Sequence, residues 1–322
     1  MRTILSRLGL CGLLGLVALA PTACGAEFDP ASRVTDLRLI AVQADKPYAA
    51  PGERVELTTL SHEPFGRPLT WGWATCVKPD ETTVTACLAK IAEQAQASGQ
   101  LPLTMGQGLS SFGTTIPADV LDGVPAAAAS NVLVGVLTVA CPGPLSVRDP
   151  RTLAHGELPF RCLDASTAEE LSFDRYVVSV KRIYVRRTER NANPEAPAVT
   201  WDGQPWAEGD VKEVAACKNS PMLKIDDCDG GERHALSAVV PPEAAESGLS
   251  ELGVPFAEDV VVQYYASDGL FEFDGRTREK PGTAWAARAS SAGKEQTLWF
   301  VVRENRGGVS WTTRRVRVRQ AL

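Results

Sequence analysis

Alternation of apolar and polar residues predicts a chain built mostly of β-strands. The alternation is clear at 35–44 (TDLRLIAVQA) and at 53–60 (ERVELTTL), two stretches separated by a turn at 50–52. Valine, isoleucine and aromatic residues cluster in further predicted strands at 69–77, 114–121, 131–141, 176–185, 199–206, 234–240, 260–265, 296–303 and 309–319. Many short strands with turn residues between them indicate a mainly β fold of the sandwich type.

One segment departs from the strand pattern. Asp80 is placed to cap the start of a helix and Gly99 to end it. The apolar residues between them recur at helical spacing, at Val84, Cys87, Leu88, Ile91 and Ala95. We therefore expect a short helical insertion at about 80–98.

The chain divides at a polar stretch with two prolines, TERNANPEAPA at 188–198, which is typical of a linker. A length of 322 residues fits two domains of ~150 residues each. We expect one sandwich at 35–187, which contains the helical insertion, and a second at 199–322. Both end in a long valine-rich strand, which indicates a divergent tandem pair.

The first residues have the organisation of an export signal. Arg2 and Arg7 precede an apolar run of about 13 residues, too short for the ~20 that a membrane-spanning helix needs. The longest later apolar stretch, 131–141, is also too short to span a membrane and fits a buried strand better.

The residues that follow the run, Thr22, Ala23 and Cys24, resemble the lipobox of bacterial lipoproteins, although Pro21 departs from it. The resemblance implies a signal peptide at 1–23, a lipid-anchored Cys24 and a flexible tether up to residue 34. Because Gly25 follows the cysteine, it also implies the outer membrane, with the membrane as a partner through the anchor. The alternative is ordinary cleavage near Ala23, which would release a soluble protein.

Six cysteines remain once Cys11 leaves with the signal and Cys24 carries lipid. An even number in an exported chain predicts disulfides. Sequential pairing is the simplest of the possible connectivities, namely Cys76–Cys87, Cys141–Cys162 and Cys217–Cys228. A zinc site is disfavoured because the sequence contains no C-x-x-C.

Composition adds two exclusions. The chain is 44% hydrophobic and 22% charged, which excludes wholesale disorder. Its formal net charge of −6 argues against a nucleic-acid partner.

The order of strand, APGE turn at 50–53, strand and Trp-bearing strand resembles bacterial immunoglobulin-like modules. The last predicted hairpin, with its turn at 304–308, resembles the end of polycystic-kidney-disease-like repeats. The antibody-type bridge is absent, because Cys76 lies on the tryptophan strand itself. With Asn193-Pro194 and the RGGVSW run that ends at Trp311, the chain is similar to uncharacterised predicted lipoproteins of the myxobacterial type, which implies location and fold rather than activity.

Motifs for catalysis are scarce. The sequence lacks G-x-S-x-G, the P-loop, the dinucleotide fingerprint and H-E-x-x-H, and its histidines are His62, His155 and His234. The His62-Glu63 pair is either an acid/base pair or, as we favour, part of a surface turn. We expect a non-enzymatic binding protein for envelope assembly or adhesion, with an envelope protein or polysaccharide as partner. The alternative is an exported hydrolase with a loop-assembled site.

The densest acidic cluster lies in KIDDCDGGE, at Asp226, Asp227, Asp229 and Glu232. Clustered carboxylates on a glycine-containing loop suit Ca²⁺, but the spacing is not that of an EF-hand. We favour a solvated, disulfide-bonded loop and expect no other cofactor, with a calcium-stabilised module as the alternative.

Two further surfaces invite a binding role. Arg315, Arg317 and Arg319 share one face of the last predicted strand, opposite Val316 and Val318. They form either a basic strip for acidic polysaccharide, lipopolysaccharide or an acidic protein, or, as we favour, a solvated face that discourages edge pairing. The seven tryptophans suit either sugar stacking or, for most of them, the sandwich cores.

Overall fold

The chain is mainly β, as predicted. The computed structural model describes residues 30–78, 83–125, 128, 132–149, 158–219, 222 and 224–320. Its first half contains the strands β1 (Arg38–Ala44), β2 (Tyr48–Ala49), β3 (Arg54–His62), β4 (Thr70–Val77), β5 (Thr104–Gln107), β6 (Ser111–Thr115), β7 (Leu133–Cys141), β8 (Leu145–Val147), β9 (Phe160–Cys162) and β10 (Val177–Val185).

These strands form the first sandwich, residues 38–185. One sheet has the order β1-β3-β6 and the other the order β2-β10-β7-β4-β5. Inward-facing side chains from both sheets, among them Leu57, Trp73 and Val136, form one core. Trp73 is fully buried and donates its indole N–H to the Leu109 carbonyl at 2.8 Å. The strand predicted at 114–121 lies instead at Ser111–Thr115, since the polar residues before it pair with β3.

The second half supplies the second sandwich, residues 198–319. Its strands are β11 (Ala198–Trp201), β12 (Gln204–Pro205), β13 (Val211–Ala215), β14 (Arg233–Val239), β15 (Ser247–Leu249), β16 (Pro255–Ala257), β17 (Val260–Ala266), β18 (Leu270–Phe271), β19 (Gly275–Thr277), β20 (Gly282–Ala286), β21 (Glu295–Glu304) and β22 (Val309–Arg319). The facing sheets have the orders β12-β11-β14-β20-β18 and β13-β22-β21-β17-β19. Short 3₁₀ turns lie at Phe173–Arg175, Ile225–Asp227, Pro242–Ala244 and Ala289–Ser291.

Both sandwiches have the strand order of an immunoglobulin domain. In the second, β11-β14-β20-β18 corresponds to strands A, B, E and D, and β17-β21-β22 to C, F and G. In the first, β1-β3-β6 corresponds to A, B and E, and β4-β7-β10 to C, F and G.

A short strand also runs parallel to the last strand of each sandwich. In the second sandwich β13 pairs with β22 along Arg315–Arg319. In the first sandwich β2 pairs with β10 only at Tyr184 and Val185. The last strand of the first sandwich is therefore covered over a much shorter length than its counterpart.

The predicted helical insertion is present as α1 (Val84–Ser98). Thr83 is its N-cap and accepts the N–H of Ala86, whereas the expected cap, Asp80, lies outside the described residues. Gly99 ends the helix in the left-handed conformation, as predicted. The helix buries Cys87 and Ile91 against the outer face of the β4-β7-β10 sheet.

The six cysteines pair in sequence order, which confirms the simplest connectivity. The bonds are Cys76–Cys87, Cys141–Cys162 and Cys217–Cys228. The first joins α1 to β4, the second joins the end of β7 to β9, and the third closes the loop after β13.

The two sandwiches meet through an apolar interface. Ile40 and Ala41 of β1 pack against Trp299, Val301 and other residues on the outer face of the β21-β22 sheet. The central part of β21 is therefore buried on both faces, which explains its continuous apolar run. From Ala31 onward the described residues form one compact unit.

The stretch predicted as a linker, 188–198, contributes to this interface. Asn193 donates to the Ala44 carbonyl of the first sandwich at 2.7 Å and accepts the Val309 N–H of the second at 3.0 Å. Asn191 is buried and bonds Glu304. The stretch is therefore a hydrogen-bonded connection between the sandwiches.

The start of the described chain is also ordered. Val34 donates its N–H to the Ala266 carbonyl at 2.8 Å, and Ala266 donates back to Ser32 at 2.9 Å. Arg33 bonds Asp268 at 3.0 Å. The tether expected up to residue 34 is thus paired with β17 from Ser32 onward, because Val34 has an apolar interface to fill.

Several predictions fall on residues outside the described ranges. They are the signal peptide at 1–23 and the lipidation of Cys24; His155 also lies outside the described residues. Among the described residues, no helix is both long enough and apolar enough to cross a membrane.

Candidate functional site

The side of β10 that faces β2 is largely unpaired. Tyr184 donates its N–H to Pro47 on the β2 side, whereas Val185 donates to Val132 on the β7 side. Because N–H direction alternates along a strand, the N–H groups of Val178, Val180 and Arg182 point to the β2 side. In the part of the chain that the structure describes, no strand pairs with 178–182 on that side. We call this segment the β10 edge.

A cleft of about 300 Å³ lies between the β10 edge and the second sandwich. One wall is formed by 180–182 and Tyr184, and the other by 303–305 with Gly307 and Gly308. These residues come from the last strand of one sandwich and the last hairpin of the other. The cleft, called the junction cleft below, exists only because the two sandwiches are packed together.

Lys181 is the most unusual side chain of the junction cleft. It shares the inward face of β10 with the fully buried Ile183 and Val185. Its ammonium donates to the Gly307 carbonyl at 2.5 Å. Burial lowers the pKa of Lys181 to about 8, and the positive charges of Arg303 and Arg182 also lower it against the opposing charge of Glu304.

The neighbouring charges do not neutralise this lysine. Arg303 is held between the sandwiches by the Gln263 side chain and the Ile40 carbonyl, each at 2.7 Å. Glu304 uses its carboxylate for the amide of Asn191 and for the N–H groups of Arg306 and Gly308. No carboxylate among the described residues lies within 4.0 Å of the Lys181 ammonium.

The wall of the cleft is fixed by Arg306, whose side chain is buried although it lies in a hairpin turn. Its guanidinium bonds Glu189 at 2.7 Å and Glu258 at 3.0 Å. It also lies 3.8 Å from the ring centroid of Phe256. These bonds join the turn to the 188–198 connection and to the β15–β16 hairpin.

The predicted basic strip forms as a strand face but is paired with acids. Val316 and Val318 are buried, and the intervening arginines point to solvent, as predicted. Arg315 bonds Glu295 at 3.1 Å, whereas Arg317 and Arg319 lie 3.7 and 3.9 Å from Glu213. Neighbouring strands thus offset much of the strip's charge.

The acidic residues for which calcium binding is the alternative do not converge on one point. Asp226 bonds the Arg233 guanidinium, Asp227 accepts the Lys224 N–H, and Glu232 accepts the Ala215 N–H at 2.6 Å. Asp229 directly follows Cys228, and its backbone N–H donates to the Asn219 side chain at 3.0 Å. No group of three or more His, Cys, Asp or Glu side chains in the described ranges is arranged to hold a metal. Local backbone and arginine partners have separated these carboxylates.

The described histidines occupy different environments. His62 lies 4.9 Å from the Trp299 ring, and burial lowers its pKa against the charge of Glu63. Glu63 accepts from the Arg67 guanidinium at 2.7 Å, so its carboxylate bonds within the turn, which favours the surface-turn interpretation of His62-Glu63. His234 bonds Asp202 at 2.8 Å, and its other ring nitrogen is buried without a hydrogen-bond partner.

The tryptophan side chains pack in the hydrophobic cores and at the interface between the sandwiches. Those at Trp71, Trp73, Trp201, Trp206, Trp285 and Trp299 are buried, and Trp311 packs against the interface between the sandwiches. Stacking on a sugar would require an accessible ring face, which buried side chains do not offer.

The comparisons with known proteins assign the chain to no family. No protein-family model matches the chain, and no curated protein matches it. One similar solved structure is a nucleoside hydrolase-related hypothetical protein from Saccharophagus degradans that is associated with carbohydrate metabolism, at 12% identity and a TM-score of 0.24. The match covers 56% of this chain and 45% of that chain.

Proposed function

We propose that this protein is an exported envelope protein, anchored in the outer membrane through lipid on Cys24, that acts by binding a partner rather than by catalysis. The three disulfides carry the first part of the proposal, because such bonds form and persist in oxidising compartments. The lipobox-like residues before Cys24 support the anchor.

The packing of the two sandwiches supports the binding part. The apolar interface and Asn193 hold the sandwiches in one arrangement, and the β10 edge opens onto the cleft between them. An unpaired strand edge beside a preformed cleft is a surface suited to a protein partner. The partner in the proposal is a component of the cell envelope.

Replacement of Cys24 tests the anchor. In the native host, Cys24→Ala should abolish incorporation of acyl-chain label and move the protein from the membrane to the soluble fraction. Cys11→Ala is the matched control, because Cys11 lies within the signal, and it should leave both readouts unchanged. Label retained in Cys24→Ala would overturn the proposal.

A hydrolase is the second candidate, because Asp202 and His234 form a 2.8 Å pair. We infer that the pair has a structural role, because Asp202 also accepts the Ala235 N–H and the ring centroids of His234 and Trp201 lie 4.3 Å apart. His234→Gln should therefore lower the melting temperature. A hydrolytic activity of the purified protein that His234→Gln removes without loss of stability would favour the enzyme.

A further inference from the structure

We propose that the β10 edge binds an extended peptide segment with acidic side chains, which adds to the sheet as an extra strand. This inference deepens the proposed binding function, on which it rests, by naming the chemical class of the partner. It is independent of the lipid anchor, because every residue that carries it lies in the two sandwiches.

The backbone supplies the first argument. Val178, Val180 and Arg182 present N–H and C=O groups that no described strand pairs. The edge is about 17 Å long at 3.3 Å per residue, enough for five residues of an added strand. Main-chain hydrogen bonds along such an edge supply affinity in strand addition, and side-chain pockets supply specificity.

The second sandwich shows what this position accepts. On the corresponding side of β22, β13 pairs along Val211–Ala215. In the first sandwich the equivalent strand, β2, pairs only at Tyr184 and Val185. Counted from the end of each strand, 315–319 of β22 corresponds to 181–185 of β10. An incoming peptide would therefore take the place of the sister strand beside Lys181 and Arg182, and it would extend from there towards Val178.

Charge supplies the second argument. Lys181 and Arg182 lie on the edge, and Arg303 faces them across the junction cleft. The Lys181 ammonium has three donors, and one of them bonds the Gly307 carbonyl. A carboxylate on the peptide would accept from this ammonium and offset the repulsion between the half-buried Lys181 and Arg303.

A second copy of this chain is the other natural occupant of an open edge. Edge-to-edge pairing of β10 with itself would bring Lys181 and Arg182 close to the same residues of the copy, and like charges across a strand pair are unfavourable. Positively charged edges are a common device against self-association. The charges therefore favour an acidic partner.

A displayed library of linear seven-residue peptides tests the proposal, with the full chain carrying Cys24→Ser as the target. We expect enrichment of peptides in which Asp or Glu alternates with β-branched residues. Arg182→Glu should weaken the best peptide at least tenfold, whereas Lys280→Glu, an equal change of charge at an exposed turn, should leave affinity within twofold.

Proline at Val180 tests the backbone. Val180→Pro removes a donor that points away from β7, so the existing ladder keeps its hydrogen bonds. We expect it to reduce peptide affinity at least tenfold, whereas Val180→Thr, which keeps the N–H, should retain binding. A near-ultraviolet circular dichroism spectrum like that of the parent checks that each variant folds.

Amide hydrogen exchange identifies the contact. Peptide binding should slow exchange at Val178, Val180 and Arg182. The proposal is overturned by a library that yields no acidic sequence, by protection confined to other amides, or by binding that survives both Val180→Pro and Arg182→Glu. Concentration-dependent dimers that Val180→Pro abolishes would also overturn it, in favour of a second copy. If the experiments on Cys24 refuted the lipid anchor, the expected results of these peptide-binding experiments would stay the same.

Discussion

The guanidinium carbon of Arg306 lies 4.7 Å from the centre of the Tyr48 ring, although the two residues belong to different sandwiches. Arg186 lies at the same distance from that ring, on the side of the first sandwich. A single tyrosine therefore contacts one cation from each sandwich. The contact is part of the buried network that holds the wall of the junction cleft.

Loss of the Arg306 charge should be strongly destabilising. Arg306→Met leaves the buried carboxylates of Glu189 and Glu258 without their main cation. Removal of one partner from a buried ionic network costs about 3–5 kcal/mol. Unfolding in guanidinium chloride, monitored by tryptophan fluorescence, measures the loss.

Arg315→Met is the control for this prediction. Arg315 forms an ion pair with Glu295, but its side chain is 52% exposed. Exposed pairs contribute about 0–1 kcal/mol, so the unfolding free energy should scarcely change. Equal losses in the two variants would contradict the structural role of the Arg306 network.

Stability should increase with pH in the mildly alkaline range because of Lys181. The pKa of Lys181 is about 8 in the folded protein, whereas an unfolded lysine has a pKa of ~10.4. Between these values the unfolded chain binds more protons, so the unfolding free energy rises with pH, by at most ~1.4 kcal/mol per unit.

Comparison with Lys181→Met isolates this contribution. The parent protein should gain stability between about pH 8 and 9.5 relative to Lys181→Met, as measured by denaturant unfolding at each pH. The gain ends as the pH approaches the pKa of an unfolded lysine, ~10.4, because both the folded and the unfolded chain then lose this proton. Parallel stability profiles for the two proteins would refute the prediction.

Gly269 should not tolerate a side chain. Its φ is +102°, and a Cβ atom there would lie 2.4 Å from the Trp285 indole nitrogen and 2.8 Å from the Ala286 carbonyl. Gly269→Ala therefore combines backbone strain with overpacking, each costing about 1–3 kcal/mol.

Gly253→Ala separates these two effects. Gly253 also has a positive φ, at +75°, but a Cβ atom there meets nothing within 4 Å. The Gly253→Ala variant should lose about 1–2 kcal/mol from the backbone conformation alone. Thermal melts measure the stability of both variants. If the melting temperature falls as far in Gly253→Ala as in Gly269→Ala, the steric contribution at Gly269 is excluded.

The Cys76–Cys87 bond should hold α1 against its sheet. Replacing both cysteines with alanine removes a bridge that closes a short loop, at a cost of about 3 kcal/mol in the chain-entropy model. Amide exchange in α1 should accelerate more than exchange in β21, which lies in the other sandwich. Uniform acceleration across both elements would show that the bond stabilises the whole unit instead.

The alternation of apolar and polar residues correctly predicts strands in which buried and exposed positions alternate along the chain. The last strand was predicted at 309–319, and the structure places β22 at Val309–Arg319. The stretch 199–206 is predicted as one strand. It is a hairpin, since Asp202 and Gly203 both have positive φ and form the turn between β11 and β12. The Asp-Gly pair was the sequence signal for that turn.

Contacts between the sandwiches were beyond prediction from a single sequence. A turn arginine such as Arg306 is ordinarily solvated, and its burial depends on residues up to 258 positions away. The sequence does contain a signal for the unusual position of Lys181, because this charged residue alternates in phase with the inward-facing Ile183 and Val185 of β10. Its nearness to Arg303 and Gly307 required the three-dimensional arrangement.

The pairing of residues 32–34 with β17 has a mechanical consequence. Tension applied to the chain at Pro30 reaches the fold through the Val34–Ala266 main-chain bonds and the Arg33–Asp268 ion pair. From there it passes into β17, a strand flanked by β21 and β19 in the sheet of the second sandwich. A load carried along this route enters the second sandwich first, and it reaches the β10 edge only across the interface that joins the two sandwiches.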